Sequence, residues 1–487
     1  MACLAFWVEP EWWPEWDSAV YILLGRSLAT GEGYAYLGEP FFLRPPGLPW
    51  LISRALPDGE LDGLALNRLV MFFAGATVAA VYFALRWRYP RWLSLCVALL
   101  GGTSAVYVAR FNRVESEFPF TALLFLGIGC FQRGLAPGPR SLPWLLASAA
   151  CVAGAAHVRA LGLFLVPGLF LLARRPGGRW LRDRTWIAGL AALALVAPWL
   201  AYSRLAASGS PGVTDQLMAF DYWTALTHVD PGDPSSPWIT AADVVGRLRR
   251  HALALRSLVG SMFGAESAWL GGLLVAGALA GLALSLRRPS LLEWFAGGYA
   301  ALLLLHGFHE RLGLPLVHAV ALYLLVFTRE LAGWLGRRGL RRAELLPGLL
   351  AALLLAANLA HWPEPRRVRT RVVRGQTVEV PWDAERKVAQ RLRDHAPPEA
   401  VILADEAPVL SVLSGRRIFT YRHPRRGNLI ELYDPDLVLL DVSRYSARAF
   451  EEELERRSQR RWKRSQRLSR GRIWVYEPLA ARPAGSP

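Results

Sequence analysis

The residues of this chain that could do chemistry are acids and bases set where apolar stretches begin or end. The first group is Trp-Trp-Pro-Glu-Trp-Asp-Ser-Ala-Val-Tyr at 12–21. Asp17 precedes apolar residues at 20, 23, 24 and 28, a spacing that predicts an amphipathic helix lying along a membrane surface. Two roles are open to Asp17: capping that helix, or presenting a carboxylate that takes a proton from a hydroxyl. The second group is Phe42-Leu43-Arg44-Pro45-Pro46-Gly47. Two prolines hold the chain extended, so Arg44 sits in an irregular segment. Its guanidinium suits either a phosphate, through two donors at once, or lipid headgroups. The third is Arg110-Phe-Asn-Arg113-Val-Glu115-Ser-Glu117. Its two acids, two residues apart, could bind a divalent cation, bind a sugar hydroxyl, or pair with Arg110 and Arg113. The fourth comprises His157-Val-Arg159-Ala-Leu-Gly162 and His306-Gly-Phe-His309-Glu310-Arg311-Leu-Gly-Leu-Pro315. Two histidines with one acid are a weak zinc set, and solvated or satisfied imidazoles are the commoner outcome.

The elements that must position these groups are apolar. Hydrophobic residues make up 53% of the 487, and runs such as 185–200, 270–286 and 345–360 carry no charge. About 20 apolar residues cross a bilayer as a helix, and these runs lack the alternation of barrel strands. The net charge of +17 does not point to nucleic acid, because many arginines fall in short loops between apolar runs, where basic residues mark the cytoplasmic side. The basic run 456–472 fits a solvated surface near anionic headgroups. Cys3, Cys96, Cys130 and Cys151 lie in apolar stretches, with spacing for neither zinc nor a disulfide framework.

Five basic loops, at 86–91, 132–140, 174–184, 287–289 and 329–342, fix a topology. The spans predicted between and around them are 64–86, 92–109, 118–133, 143–157, 160–174, 185–203, 267–286, 291–307, 312–328 and 344–361. Two spans separate each consecutive pair of basic loops, so the alternation closes. It puts outside a first loop at 9–63, a short loop at 110–118, a long loop at 204–266 and everything after His361. Met1 to Val8 is apolar but too short to span, and is expected to be the outer end of a first span that begins upstream. The tail differs in kind. Short strands are predicted at 400–404, 417–421, 436–442 and 472–476, with helices at 384–395 and 446–457, a small α/β domain. The division expected is thus a multi-span domain over 1–361 and a soluble extracytoplasmic domain over 362–487.

These segments, in this order, resemble the membrane glycosyltransferases of the C-type fold, and most closely the bacterial protein O-mannosyltransferase and aminoarabinose transferase relatives. Asp17 with Tyr21 and Leu28 matches the acidic first loop and its helix. Arg44-Pro45-Pro46 matches the basic residue and prolines that follow. Glu115 or Glu117 matches the acidic second loop, Arg159 with Gly162 a later basic site, and Arg311 with Pro315 a late one. The first loop departs in reading Asp17-Ser18 rather than the commoner Asp-Glu. The resemblance implies a polytopic α-helical protein of about 10–11 spans in the plasma membrane, with a small extracytoplasmic α/β domain. It implies hexosyl or pentosyl transfer, with inversion, from a polyprenyl-phosphate sugar donor to an acceptor hydroxyl on a glycan, lipid or protein at the outer face. Asp17 would be the general base, and Arg44, Arg159 and Arg311 would hold the donor phosphate. The resemblance fixes no cofactor, and a divalent cation at Glu115 and Glu117 is left open. Partners are then the lipid-linked donor, the acceptor and membrane lipid, without nucleic acid. The alternative is a polytopic transporter or lipid flippase. Transporters carry internal repeats and midplane ionisable groups, whereas here no repeat is found and the acids cluster at span ends.

Overall fold

The computed structural model describes residues 8–136, 141–172, 186–209, 226–229, 236–264, 267–306, 310–340, 342–362, 370–373, 376–379, 382–420, 435–441, 447–458, 461–470 and 473–479. Among them, seven helices are long and apolar enough to cross a membrane: Gly63–Leu85, Glu117–Leu135, Ser141–Val158, Trp186–Ala206, Ala268–Ser285, Arg311–Arg337 and Ala343–Ala360. Three shorter apolar helices, Arg91–Gly102, Ala160–Leu171 and Leu291–Leu305, fall on the other three expected spans. The chain is a multi-pass helical membrane protein. The expected stub Met1 to Val8 lies, except for Val8, outside the described residues, as does His309.

Helix α1 is Trp16–Ala29, followed by a small hairpin of β1 (Ala35–Tyr36) and β2 (Glu39–Pro40), then α2 (Gly47–Ala55) and α3 (Gly63–Leu85). Asp62 starts α3 by accepting the Ala65 N–H at 3.0 Å. The span expected at 92–109 is broken into α4 (Arg91–Gly102) and α5 (Ala105–Val108). The break has a local cause: Ser104 takes extended φ/ψ and its hydroxyl accepts the Tyr107 N–H, so a new helix starts there. Next come α6 (Glu117–Leu135) and α7 (Ser141–Val158), the two most extensively packed neighbours, then a 3₁₀ turn (Ala160–Phe164), α8 (Leu165–Leu171) and α9 (Trp186–Gly209). The loop expected at 204–266 contains a long helix, α10 (Ala241–Met262), begun by a capping box of Thr240 and Asp243. Spans α11 (Ala268–Ser285), α12 (Leu291–His306), α13 (Leu314–Arg337) and α14 (Leu346–Ala360) complete the bundle.

The tail holds a hairpin of β3 (Thr370–Val373) and β4 (Gln376–Glu379), then α15 (Trp382–His395), β5 (Ile402–Ala404), α16 (Ala407–Ser414), β6 (Ile418–Thr420), β7 (Leu437–Asp441), α17 (Ala447–Ser458), β8 (Trp462–Arg464) and β9 (Ile473–Pro478). The sheet order is β6-β5-β7-β9-β8, with β5 parallel to both neighbours and β9 antiparallel to both of its own. Alternation along β7 divides two cores. Leu437 and Leu439 face Val388, Leu392 and Leu410 of α15 and α16, while Val438 and Leu440 face Leu454 of α17, Trp462 and Tyr476. The four expected strands and two expected helices all occur; α16, β8 and the hairpin were not anticipated.

Candidate active site

Helix α1 is not the one-faced surface helix its spacing suggested. Ser18 to Ile22, Leu24, Gly25 and Ser27 are all buried, because α2 packs on one side and α16 of the tail on another. Gly25 permits the α2 contact, since a Cβ there would lie 2.5 Å from Ile52 Cγ2. Nor does Asp17 cap the helix. The chain turns at Glu15, whose N–H is accepted by Ser18 Oγ at 3.1 Å, while that hydroxyl donates to Glu15 O at 2.8 Å. Ser18 also accepts the Trp12 Nε1–H at 3.2 Å and is 1% exposed, which accounts for a small hydroxyl residue where an acid is commoner. Asn67 of α3 ties down the approach, donating to Glu9 O and Glu11 O at 2.8 and 2.9 Å.

The Asp17 carboxylate is instead taken by two guanidiniums. Arg44 Nη2 lies 2.6 Å from Oδ1, and Arg311 pairs with Oδ2. Each arginine arrives by a distinct device. Pro45 and Pro46 lead into α2, and Gly47 lets its first turn touch the end of α7, where a Cβ would lie 2.6 Å from His157 O. Tyr34 donates its hydroxyl to Arg44 O at 2.8 Å, and the Arg44 guanidinium lies 5.0 Å over the Tyr21 ring. Arg311 sits on a 3₁₀ turn, Glu310–Gly313, directly before α13. Gly313 beside it fits against Leu258 and Met262 of α10.

Glu115 and Glu117 lie in the adjoining turn. Asn112 takes φ 61°, a left-handed conformation that asparagine tolerates, and reverses the chain there. The expected pairing with Arg110 and Arg113 is half right. Arg110 Nη1 lies 3.1 Å from Glu115, but Glu117 pairs with Arg159 and Arg113 pairs with Glu15. Arg159 reaches inward because the 3₁₀ turn after it folds back on α7. Gly162 makes that possible: a Cβ would lie 2.4 Å from Ala156 N. Arg311 is also within electrostatic reach of Glu117, Glu115 and Arg159. All six residues singled out in the sequence, Asp17, Arg44, Glu115, Glu117, Arg159 and Arg311, therefore meet in one cluster. Glu15 and Tyr34 belong to it too. Their signal was faint, an acid and an aromatic among many aromatics.

The electrostatics follow from the pairing. Burial works to raise the Asp17 pKa, but Arg44 and Arg311 overcome it and hold the carboxyl well below its usual range. Arg44, half-buried, is held fully charged by Asp17. Burial and the neighbouring Glu117 push Glu115 up to about 8, with Arg110 opposing and Glu15 assisting the rise. Each of the two arginines on Asp17 keeps a donor open: Arg44 Nη1 and Arg311 Nε are buried without a hydrogen-bond partner among the described residues. A divalent cation is a poor fit to the two second-loop acids, since each already faces a guanidinium. No group of three or more His, Cys, Asp or Glu that could hold a metal occurs among the described residues. His157 turns back on its own helix, with Nδ1 2.8 Å from Ala153 O.

The comparisons bear on the fold. Residues 43–202 match the family model described as dolichyl-phosphate-mannose-protein mannosyltransferase. The structure resembles ArnT from Cupriavidus metallidurans bound to undecaprenyl phosphate, with a TM-score of 0.57 at 13% identity, over 99% of this chain and 97% of that one. It also resembles the oligosaccharyltransferase AglB from Archaeoglobus fulgidus in complex with an inhibitory peptide and a dolichol-phosphate, with a TM-score of 0.55 at 10% identity, over 96% of this chain and 71% of that one. No curated protein matches it in sequence. The chain thus has the C-type membrane glycosyltransferase fold, and the resemblance read from the residues is borne out. The matched family segment begins one residue before Arg44 and runs past Arg159, so it contains four of the six clustered residues.

Proposed function

We propose that the chain transfers a sugar from a polyprenyl-phosphate donor to an acceptor hydroxyl at the outer face of the membrane, with Asp17 as general base. The observation that carries this reading is the double clamp on Asp17: one carboxylate, both oxygens paired, with a buried donor still open on each of the two arginines. A phosphate entering between Arg44 and Arg311 competes with Asp17 for both guanidiniums. As they turn to the phosphate, Asp17 loses the partners that depress its pKa and becomes basic enough to accept a proton.

The reaction then balances in one displacement. The acceptor oxygen bonds to the anomeric carbon as the bond from that carbon to the phosphate oxygen breaks. The electron pair of the broken bond stays on the lipid phosphate, and the hydroxyl proton passes to Asp17. A single displacement inverts the anomeric centre. Negative charge grows on the phosphate along this path, so arginines fixed beside it favour the transition state over the bound donor. The local charge supports this. Five guanidiniums (Arg44, Arg110, Arg113, Arg159, Arg311) face four carboxylates (Asp17, Glu15, Glu115, Glu117), and burial beside Glu117 works against charge on Glu115. The excess of positive charge favours a leaving phosphate monoester over the singly charged donor diester.

Sidedness supports the outer face. The tail packs on α1, the helix that carries Asp17, so the cluster and the tail lie together, and the arginine distribution along the sequence assigns the other side to the cytoplasm. On this reading the multi-span domain runs over 1–361 and the extracytoplasmic domain over 362–487. The test is transfer by the purified full chain from a panel of polyprenyl-phosphate sugars. Sugar release or transfer that fails in Asp17→Asn supports the reading. Lipid movement between leaflets with the sugar bond intact would make the protein a flippase instead.

A further inference from the structure

A second polar site lies beside the cluster and has no part in the reaction above. It is a cavity of about 360 Å³ between α10, the start of α11, α5 and the end of α14. Its polar lining comes from Arg256, Ser257, Ser261, Ser267 and His361, and no carboxylate lines it among the described residues. Arg256 is the informative member. Its Nε is buried without a hydrogen-bond partner, and its guanidinium forms no ion pair among the described residues. Its stem runs along α11, where Gly271 and Gly272 leave room for the Arg256 backbone and Cδ. The other groups leave donors or space. Ser267 precedes α11 without capping it, and Ser261 spends its proton on Leu258 O at 2.8 Å. The His361 ring closes one side by lying against Gly264, which has φ 68° and no Cβ to obstruct it. A guanidinium with hydroxyls beside it and no ion-pair partner among the described residues is a receptor for an anion with several oxygens.

Position identifies the anion's carrier. Helices α11 and α14 are apolar spans, and they meet the cavity at the ends where they leave the bilayer. Exposed Trp269 and Leu253 flank it, and α10 carries further exposed apolar residues, Val245 and Leu248, among its arginines. A tryptophan at a span end and a basic helix with apolar outer positions mark the headgroup layer. We propose that this cavity binds the phosphate of an anionic membrane lipid, with Arg256 as its principal ligand. The inference is independent of the transfer chemistry at Asp17 and stands on different residues.

The test uses the purified full chain in phosphatidylcholine nanodiscs with and without phosphatidylglycerol, read by native mass spectrometry and thermal denaturation. Phosphatidylglycerol is expected to stay bound and raise the melting temperature, and further phosphatidylcholine to do neither. Arg256→Gln should bind it about tenfold more weakly or worse, as expected for loss of a charge-assisted contact. Arg256→Lys should recover part of that, and Arg250→Gln, an exposed arginine on the same helix, should match the parent. The lipid titration on the unaltered chain needs no variant, so poor folding of Arg256→Gln leaves the test intact. Equal retention of the two lipids, or undiminished binding by a folded Arg256→Gln, overturns the proposal. An equal stabilisation by inorganic phosphate alone makes the ligand a free anion and overturns its lipid part.

Discussion

Replacing Asp17 with asparagine tests the site most sharply, because it perturbs two things that can be read separately. The first is the clamp. Losing the carboxylate leaves Arg44 and Arg311 facing each other without a counter-charge. Breaking a buried pair costs about 3–5 kcal/mol, and exposed pairs are worth about 0–1. The three side chains here are 21%, 25% and 27% exposed, between those limits, so a stability loss on the order of 1–2 kcal/mol is expected. The second is the proton. Asparagine keeps the shape but cannot take the acceptor's proton, and loss of a general base costs about 10²–10⁴ in rate. Ligand separates the two. Polyprenyl phosphate supplies the missing counter-charge, and at about 100 times its Kd it adds about 2.7 kcal/mol. Saturating lipid phosphate should therefore restore the melting temperature of Asp17→Asn, while transfer at saturating donor stays depressed. The assay pairs thermal denaturation with initial transfer rates, each with and without the lipid. A variant that melts low, is rescued by lipid and transfers at the parent rate would refute the base. One that melts normally without lipid would refute the clamp.

Arg44→Ala should raise the donor KM about tenfold or more and leave acceptor KM nearly unchanged, with Arg44→Lys restoring only part, as steady-state kinetics with both substrates will show. Glu115 should make the protein less stable as pH rises. Its folded pKa of about 8 lies above the ordinary 4.5, so the folded state holds the extra proton and stability falls across that window. Glu115→Gln should flatten the pH dependence of the melting temperature between about pH 4.5 and 8. Cysteine placed at exposed Glu399 should react with an impermeant reagent in intact cells, and cysteine at exposed Arg338 should not.

Much of this molecule was legible in the residues, for physical reasons. Crossing a bilayer demands long uncharged runs, so the spans had to announce themselves, and β7, buried on both faces, did the same in the tail. The charged groups of the candidate cluster stood out because ionisable residues are scarce beside long apolar runs. Their partners were not. Arg159 pairs with Glu117 across 42 positions and Arg44 with Asp17 across 27, distances at which local spacing is silent. The cap reading of Asp17 failed by two residues, because Ser18 turns back to serve Glu15 and leaves Asp17 inside the first turn. Helix α10 escaped notice because its apolar residues are interleaved with arginines, and α16 because eight residues carry little periodicity.

Helix α16 also bears on the order in which the protein can be made. Val409 and Val412 are buried against Trp12, Tyr21, Ile22 and Ile52, and Arg26 donates to Val412 O across 386 positions at 3.3 Å. Helix α1 leaves the ribosome well before α16, the lid that covers it. Throughout elongation and membrane insertion, the face of α1 that α16 will cover stays bare. Asp17 thus reaches its finished surroundings only after α16 has emerged, and a nascent chain stalled before α16 carries the described spans with this face of α1 uncovered.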